Sequence, residues 1–440
     1  MVFGGVMDLK GKKVSVIGLG NSGSSAAMLA ADFGAEVWAT DAGDSPALRE
    51  VEKRLRAKGI KVEIGIHTED YIKTSDLVVV SPGVEETSLA LKWAKKHGIT
   101  VIGEMEFGYR FCKGRIIAIT GTNGKSTVTA LIGQILKDGG FDTVVCGNIG
   151  NSLSGEIDRI KEDTWVVLEV SSFQLETIVD FKPHIAVILN ITDDHMDRYS
   201  KFSDYFAEKM KVFKNQDKDD HLVLNYDAEN LRGFEKIAKS KVSCYKKSTA
   251  DIFDTRLKGV HNTENILASI LVSSIVGVKS SSMLRTIKDF KGLSHRFETV
   301  AVIDGVEYID DSKGTTVDST ARAIDSCKSP VILIAGGKDK YSDYGAIKSK
   351  VKAKVKDLIL IGEAKDAIAK ALKGASSVHS AKDMDEAVRL ARRLAKKGDS
   401  VLLSPMCSSF DMYKSYKHRG EVFRKAVDGI RCEAQEARYS

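Results

Sequence analysis

The sequence predicts an α/β protein of three segments in which strands and helices alternate. Each segment has a short apolar run leading into a glycine-rich loop: VSVIGLGNSG near residue 14, RIIAITGTNGKST near residue 115, and PVILIAGGKDK near residue 330. This alternation is typical of parallel sheets covered by helices on both faces. From the order of the motifs we expect an N-terminal Rossmann-like domain (1–106), a central domain with a phosphate loop on a mainly parallel sheet (107–293) and a C-terminal Rossmann-like domain (294–440).

Composition favours an ordinary globular protein. Of its 440 residues, 43% are hydrophobic and 29% charged, and the net charge is +6. No stretch approaches the ~20 apolar residues of a membrane span, and MVFGGVMDLKGKK lacks the features of a secretory signal. The six cysteines are scattered singly, without a CxxC pair, which argues against a zinc site or a disulfide framework. We therefore expect a cytoplasmic protein that binds neither membrane nor nucleic acid, because its basic residues are interleaved with acidic ones.

The first segment carries a G-x-G-x-x-G pattern directly after a predicted strand. Val14–Ile17 is the strand, Gly18, Gly20 and Gly23 form the pattern, and a second strand ends at Asp41. Such glycines let the backbone approach a diphosphate at a helix N-terminus, and an acidic residue at the end of the second strand typically holds a ribose. The pattern alone leaves three alternatives open: an NAD(P) site, a structural tight turn, or a site for another diphosphate ligand.

The second segment contains a more specific phosphate loop. Arg115–Thr120 is a predicted strand, Gly121–Gly124 the loop, and a helix begins at Lys125. In this context backbone N–H groups surround phosphates, Lys125 reaches the terminal ones, and Ser126 can hold Mg²⁺. The loop departs from the common G-x-x-x-x-G-K-[ST] pattern because Ile119 stands in place of the first glycine.

Acidic residues and a histidine follow two later strands of this segment. TWVVLEVSSFQLE delivers Glu169 at the end of a strand, and IAVILNITDDHMDRY places Asp193, Asp194, His195 and Asp197 after another. Carboxylates and an imidazole beside a phosphate loop are suitable ligands for hard divalent cations. The sequence therefore predicts a metal-dependent nucleotide site.

Taken in order, the motifs resemble those of the Mur ligase family over nearly the whole chain. The motifs are GTNGKST, GNIG (147–150), LEVSSFQLE, NITDDHMDRY, GVHNTEN (259–265), LSHRFE (293–298), DDSKGTT and LSPMCSSFDMYKSYKHRG (403–420). SSFQLE, DHMDRY and SPMCSSFDMYK are most similar to the branch that adds D-glutamate. The resemblance implies an ATP-dependent ligase that joins D-glutamate to UDP-N-acetylmuramoyl-L-alanine through an acyl phosphate, in a chain that we expect to be a monomer.

The resemblance also implies roles for individual residues. Those for the UDP-linked precursor are Asn21, Ser22, Asp41, Ser81, Pro82, Gly83, Asn148, Ser171 and His195. Those for ATP are Thr122, Asn123, Gly124, Lys125, Ser126, Thr127, Asn262, Asn265, Arg296 and Asp311, with His295 beside Arg296. Those for the incoming amino acid are Thr315, Lys340, Ser409, Phe410 and Tyr416, with Lys338 as a competitor of Lys340.

Catalysis and metal binding share a smaller implied set. Two Mg²⁺ ions are implied on Ser126, Glu169, His195 and Lys209, with Lys209 carried as a carbamate. Lys125, Glu169, His195, Lys209 and Lys313 are the implied catalytic residues. Ala42 and Gly43 stand where relatives often have polar or basic side chains, which leaves recognition of the nucleotide undetermined.

Two further function classes stay open from the sequence. An NAD(P) oxidoreductase would explain GLGNSG and Asp41 but not TGTNGKST, and a non-catalytic nucleotide switch would explain the phosphate loop alone. Within the family, ligases that add L-alanine, a diamino acid or a dipeptide are the nearest alternatives.

Overall fold

The computed structural model describes residues 7–195, 198–248, 253–257, 261–327, 330–339 and 342–439. The described chain contains three β-sheets, of five, six and six strands. By its internal contacts the chain divides into two compact units. One comprises Met1–Ile191, Ser203–Lys246 and Leu267–Thr286, and the other Thr192–Phe202, Lys247–Ile266 and Ile287–Ser440.

The first sheet is entirely parallel. Its strands are β1 (Lys13–Ile17), β2 (Glu36–Asp41), β3 (Lys61–Ile64), β4 (Leu77–Val80) and β5 (Val101–Gly103). They lie in the order β3-β2-β1-β4-β5. The helices are α1 (Asn21–Asp32), α2 (Pro46–Ala57), α3 (Leu89–Lys96) and α4 (Glu104–Tyr109). The order reverses direction at β1, and in such sheets ligands bind at the carboxyl ends of the strands beside this point.

The second sheet is also parallel and carries the phosphate loop. Its strands are β6 (Arg115–Thr120), β7 (Thr143–Gly147), β8 (Trp165–Glu169), β9 (Ile185–Ile188), β10 (His221–Asn225) and β11 (Lys241–Tyr245). They lie in the order β11-β10-β9-β6-β8-β7. The helices are α5 (Lys125–Asp138), α6 (Ser172–Leu175), α7 (Phe202–Met210), α8 (His261–Val276) and α9 (Ser280–Asp289). Ile119 pairs with Glu169 and Thr120 with Ile188, so the loops after β6, β8 and β9 share one edge.

The third sheet is parallel except at one edge. Its strands are β12 (Glu298–Ile303), β13 (Val306–Asp310), β14 (Val331–Gly336), β15 (Val355–Ile361), β16 (Ser377–Ser380) and β17 (Ser400–Leu403). They lie in the order β12-β13-β17-β14-β15-β16, and β12 is antiparallel to β13. The helices are α10 (Val317–Ser326), α11 (Lys348–Lys354), α12 (Lys365–Ala371), α13 (Met384–Leu394) and α14 (Tyr416–Tyr439).

Alternation along the central strands of the third sheet builds an apolar layer on each face. Leu333 and Leu358 belong to the layer that includes Ile324 and Ile368, on α10 and α12. Ile332 and Ile334 belong to the layer that includes Phe423 and other residues of α13 and α14. Successive side chains of a strand point to opposite faces, so continuous apolar runs mark strands buried on both sides.

The observed architecture confirms the predicted fold class. The predicted strands Arg115–Thr120 and Val14–Ile17 are present, the second extended to Lys13, and the helix predicted from Lys125 begins there. The proposed boundaries after residues 106 and 293 stay predictions, and both lie in the chain between consecutive sheets. Among the described residues no helix has both the length and the apolar character needed to cross a membrane.

Candidate functional site

The phosphate loop turns from β6 into α5 through a left-handed residue. Gly124, the residue before the helix, has φ of 88°. A side chain at this conformation would be strained, so glycine is required where the chain turns into the helix. The first turn of α5 buries Ser126 and Thr127, while Lys125 is partly exposed. A helix N-terminus with backbone N–H groups of this kind is suited to an anion.

Two lysines meet at one carbonyl of this loop. Lys125 Nζ donates to the carbonyls of Gly121 and Thr122, each at 2.9 Å. Lys209 Nζ donates to the same Gly121 oxygen at 2.8 Å and lies 4.7 Å from the centre of the Tyr205 ring. Lys209 is only 2% exposed, although it is a lysine on a short helix. The structure therefore brings together two of the predicted catalytic residues.

Asn190 and Tyr205 also hold the loop, and the sequence had not indicated either. The Asn190 side chain accepts from the Asn123 amide at 2.9 Å and donates to the Asn123 carbonyl at 3.0 Å. The Tyr205 hydroxyl lies 3.1 Å from Thr122 Oγ1. Asn190 follows β9 within the NITDDH segment, and this position was a sequence signal for a role at the loop. No sequence signal indicated Tyr205.

Glu169 and Asn148 connect the neighbouring strands β8 and β7 at the same edge. Asn148 Nδ2 donates to Glu169 Oε1 at 2.9 Å, and its backbone N–H donates to the Glu169 carbonyl at 2.9 Å. The Glu169 side chain is 1% exposed. A buried carboxylate fixed at the end of a strand beside a phosphate loop matches the position of a metal ligand.

The donors on this edge fit a magnesium ion. The buried carboxylate of Glu169 lies at the end of β8. The buried hydroxyl of Ser126 lies in the first turn of α5, the helix that follows the adjacent strand β6. Mg²⁺ is typically bound by one or two carboxylates together with substrate phosphates and water. In the described part of the chain, no group of three or more His, Cys, Asp and Glu residues could hold a metal by itself. This donor set suits an ion that arrives with phosphates.

His195 lies in a local turn of the compact unit that includes Thr192–Phe202. Its φ is 57°, its backbone N–H donates to Asp194 Oδ1 at 2.9 Å, and Nε2 is 3.4 Å from Asp194 Oδ2. Its carbonyl accepts from the amides of Arg198 and Tyr199. Asp197, which was predicted with this cluster, falls outside the described residues.

A cavity of about 670 Å³ opens beside the glycine pattern of the first sheet. It is bordered by the loops after β1, β2, β4 and β7. Of the residues predicted for the UDP-linked precursor, those lining it are Asn21, Ser22, Asp41, Ser81, Pro82, Gly83 and Asn148. His67 and Gln174, which were not predicted, also line it. Ser171 is not among the lining residues, and it caps α6 in a reciprocal pair with Gln174.

Hydrogen bonds fix the rim of this cavity. Asp41 accepts from the amides of Leu19 at 2.6 Å and Gly43 at 2.8 Å. Ser81 Oγ donates to the Gly18 carbonyl at 2.7 Å, and Asn21 Nδ2 donates to the Gly150 carbonyl at 3.3 Å. Asp41 thus holds the glycine loop in addition to facing the cavity.

Asn262 and Asn265, which the resemblance assigns to ATP, lie together on the first turns of α8. Asn265 Nδ2 donates to Asn262 Oδ1 at 2.9 Å, because residues three apart are neighbours on one face of a helix. Both side chains are buried.

The DDSKG loop after β13 surrounds a buried carboxyl group. Asp311 accepts from the Phe297 amide at 3.2 Å and from Ser404 Oγ at 2.7 Å. Burial raises its pKa to about 7, while the hydrogen bond from Ser404 and the charge of Arg296 act in the opposite direction. His295, which we expected to reach the ATP phosphates, is buried, with Nδ1 2.7 Å from Asp310 Oδ2.

Lys313 and Tyr416 contact each other. Lys313 Nζ lies 5.0 Å from the centre of the Tyr416 ring, within range of a cation–π interaction. The remaining residues predicted for the amino acid differ in exposure. Thr315 is partly exposed, Ser409 is 2% exposed and Phe410 is 71% exposed. Lys340 lies outside the described residues, and Lys338 is exposed, with its amide bonded to the Ser408 carbonyl at 3.0 Å.

A buried arginine joins the two loops that carry these residues. Arg419, at 0% exposure, donates to the carbonyls of Ser312 at 2.8 Å, Cys407 at 3.2 Å and Ser408 at 3.2 Å. Burial lowers its pKa to about 10. The sequence had included Arg419 in a motif without giving it a role.

Comparison with known proteins gives matches along the chain. Three family models match: "Mur ligase MurD-like, N-terminal domain" at residues 12–103, "Mur ligase middle domain" at 119–252, and "Mur ligase, glutamate ligase domain" at 295–407. A protein of Koribacter versatilis named UDP-N-acetylmuramoylalanine--D-glutamate ligase is 41% identical, over 96% of this chain and 98% of its own length. A protein of Geotalea daltonii with the same name is 41% identical, over 96% and 99%.

Solved structures share the fold at low identity. UDP-N-acetylmuramate-alanine ligase of Thermotoga maritima superposes with a TM-score of 0.63 at 17% identity, over 95% of this chain and 99% of that one. The MurF ligase of the same organism, solved with ADP, has a TM-score of 0.61 at 14% identity, over 89% and 95%. Since the identity to the sequence relatives is well above what chance produces over a full-length alignment, the chain belongs to the Mur ligase family.

Proposed function

We propose that this chain is an ATP-dependent ligase that adds D-glutamate to UDP-N-acetylmuramoyl-L-alanine, a step of cytoplasmic peptidoglycan precursor synthesis. The observation that carries the proposal is the bridge between Asn148 and Glu169. Asn148 lines the cavity beside the glycine pattern and also donates to the carboxylate at the phosphate-loop edge. A nucleotide-linked substrate in that cavity therefore has a route to the position where ATP would bind. The names of the relatives at 41% identity support the choice of substrates.

The proposed chemistry activates a carboxylate before an amine attacks it. The γ-phosphoryl group of ATP passes to the L-alanyl carboxylate, which gives an acyl phosphate and ADP. The amine of D-glutamate then attacks the carbonyl carbon, phosphate leaves, and the amine loses a proton. Both steps bring negative charges together, so positioning and cationic groups supply most of the rate acceleration.

Residues of the phosphate loop serve the first step. Lys125 and the amides at the start of α5 hold the β- and γ-phosphates, and the lysine charge counts most as the phosphoryl group transfers. Asn190 and Tyr205 keep the loop in shape through Asn123 and Thr122. Ser126 and Glu169 would hold Mg²⁺, which when bound neutralises phosphate charge against the approaching carboxylate.

Lys209 and His195 complete the proposed metal ligands. We propose that Lys209 is carried as a carbamate, because it is 2% exposed at the edge of the loop, where an ordinary solvated lysine would not lie. The carbamate group gives an anion in place of an ammonium ion. His195 is assigned to a second Mg²⁺ by resemblance alone.

The third sheet carries the proposed amino-acid site. Lys313, Thr315 and Ser409 belong to two loops that Arg419 ties together through Ser312 and Ser408. Tyr416 covers Lys313. Lys340 and Phe410 are assigned by resemblance. A monomer is proposed as the active form.

Phosphate release from ATP tests the proposal. The assay contains Mg²⁺ and UDP-N-acetylmuramoyl-L-alanine, with or without D-glutamate. We expect release that requires both substrates, and a new amide product by mass spectrometry. Release that instead requires L-alanine, a diamino acid or a dipeptide would keep the family and assign a different amine substrate to this chain. No release with any amine would contradict the ligase assignment.

A further inference from the structure

The cavity beside the glycine pattern contains an imidazole to which the sequence assigned no role. His67 follows β3 and lines the cavity together with Asp41 and Ala42. Its side chain is half-buried, and Nδ1 lies 2.7 Å from Thr40 Oγ1 on β2. Nδ1 is therefore held by the sheet, which leaves Nε2 as the ring nitrogen available to a ligand in the cavity.

The hydrogen bonds of Thr40 determine which ring nitrogen carries the proton. Thr40 Oγ1 lies 3.1 Å from Glu63 Oε1 and 3.2 Å from the Ile66 carbonyl oxygen. A carboxylate and a carbonyl only accept hydrogen bonds, and a threonine hydroxyl has a single proton to donate. That proton goes to Glu63 or Ile66, so His67 Nδ1 must donate to Oγ1. Nε2 then carries the lone pair of a neutral ring.

The surroundings of His67 favour the neutral ring. Burial lowers the pKa of His67, although the nearby charges of Asp41 and Glu63 act in the opposite direction. Within the described part of the chain, Nε2 has no hydrogen-bond partner. The cavity therefore presents an acceptor that has no partner from the described residues.

The strand order indicates which part of a nucleotide would meet this acceptor. In Rossmann-like sheets the diphosphate lies at the glycine loop after β1, and the ribose lies near an acidic residue at the end of β2. Here β2 lies between β1 and β3. A base that continues in the same direction reaches the end of β3, where His67 lies. Ala42 and Gly43, which follow Asp41, have no polar side chain to offer a base.

We propose that His67 recognises the uracil ring of the nucleotide-linked substrate by accepting its N3–H at Nε2. The proposal rests on the proposed function and assigns a specificity-determining residue to it. Uracil has a donor at N3, whereas cytosine has an acceptor there. Two acceptors facing each other leave both unsatisfied, so the arrangement selects uracil over cytosine.

Binding of UDP and CDP to the full chain tests this role. Isothermal titration would give both dissociation constants for the unaltered protein and for His67→Phe, His67→Gln and the control His97→Gln. His97 is an exposed histidine, bonded to Glu69 and not among the residues lining the cavity. We expect UDP to bind the unaltered protein and the control about tenfold more tightly than CDP. His67→Phe should lose most of that ratio by weakening UDP, and His67→Gln should keep part of it because its amide oxygen accepts.

The outcomes separate this proposal from the ligase assignment. An unchanged ratio of UDP to CDP affinity in a folded His67→Phe protein, with ligase turnover intact, would overturn the role of His67 alone. Failure of the unaltered protein to bind either nucleotide, together with absence of turnover, would overturn both proposals. Long-range ¹H–¹⁵N NMR of labelled histidine gives a second test, since a proton on Nε2 of His67 would contradict the assigned acceptor.

Discussion

Lys125 and Lys209 donate to the same acceptor, the carbonyl oxygen of Gly121, at 2.9 and 2.8 Å. Two ammonium groups on one oxygen repel each other, and this repulsion is stronger in a partly buried site than in water. An anion bound at the loop relieves it, and so does conversion of one lysine to a carbamate. The pair therefore connects phosphate binding with the chemical state of Lys209.

Replacing Lys125 should nearly abolish ATP turnover. We expect Lys125→Ala to lower kcat at least about a hundredfold, because its charge acts most strongly on the phosphoryl group in the transition state. Lys137→Ala is the matched control, since Lys137 is an exposed lysine at the other end of the same helix. Phosphate release is the measurement. Activity of Lys125→Ala within a few-fold of the parent would remove the phosphate-loop assignment.

Replacing Lys209 should lower the activity, and an added small carboxylic acid should restore part of it. Lys209→Ala should lose most activity and regain part of it in acetate or formate, because a carboxylate in the space left behind can replace the proposed carbamate. Lys211→Ala is the control, since Lys211 lies two residues away and pairs with Glu208 at 2.6 Å. Full activity of Lys209→Ala without added acid would contradict the carbamate.

The sequence predicted the parts of the site whose chemistry is local. The turn from Thr120 to Lys125 follows from glycines, a lysine and a hydroxyl within one short motif, and the structure has the strand and helix at the predicted residues. The contact between Asn262 and Asn265, three residues apart on α8, is a local feature of the same kind. Such features need only neighbouring residues and backbone geometry.

Features that depend on distant contacts could not be predicted in this way. His67 gains its significance from a threonine on another strand, and Arg419 from loops about a hundred residues and about ten residues away. The edge strand Glu298–Ile303 was missed because it is only half-buried and follows a hydrophilic loop.

The pH dependence of protein stability should reflect the raised pKa of the buried Asp311. Its folded pKa of about 7 exceeds the unfolded value of about 4, so the folded state keeps a proton that the unfolded state releases between these values. The contribution of this group is thus present below about pH 4 and is lost as pH rises towards 7, by at most about 1.4 kcal/mol per pH unit. Asp311→Asn should lack this loss of stability. The thermal unfolding midpoint of the variant should therefore increase relative to that of the parent as pH rises.

The exposed Asp428→Asn serves as the control for this experiment. Its unfolding midpoint should follow that of the parent at every pH. A constant difference between Asp311→Asn and the parent from pH 4 to 8 would show that Asp311 titrates normally.

Glu106 should be a strong contributor to stability. Its carboxylate, at 0% exposure, accepts from the amides of Val179 at 3.0 Å, Asp180 at 3.1 Å and Phe181 at 2.9 Å, and pairs with Arg110. Glu106→Ala leaves three backbone N–H donors without their acceptor, the buried N–H of Phe181 among them, and removes the partner of Arg110, so it should cost about 3 kcal/mol. Urea denaturation measures the loss, and the exposed Glu162→Ala should change it by less than about 0.5 kcal/mol. Equal midpoints for the two variants would refute this role.

Gly23 and Gly20 belong to the same glycine pattern, yet an added methyl group should destabilise the protein only at Gly23. A Cβ at Gly23 would lie 1.8 Å from the Gly18 carbonyl oxygen and 2.6 Å from Ser81 Oγ, whereas one at Gly20 would meet nothing within 4 Å. Gly23→Ala must therefore separate α1 from the loop after β1 and open the rim of the cavity. We expect a clearly lower thermal midpoint and weaker UDP binding for Gly23→Ala, and a midpoint near that of the parent for Gly20→Ala. Because both changes add the same atom group to the same loop, a similar midpoint for the two variants would mean that the close approach at Gly23 does not determine how the loop packs.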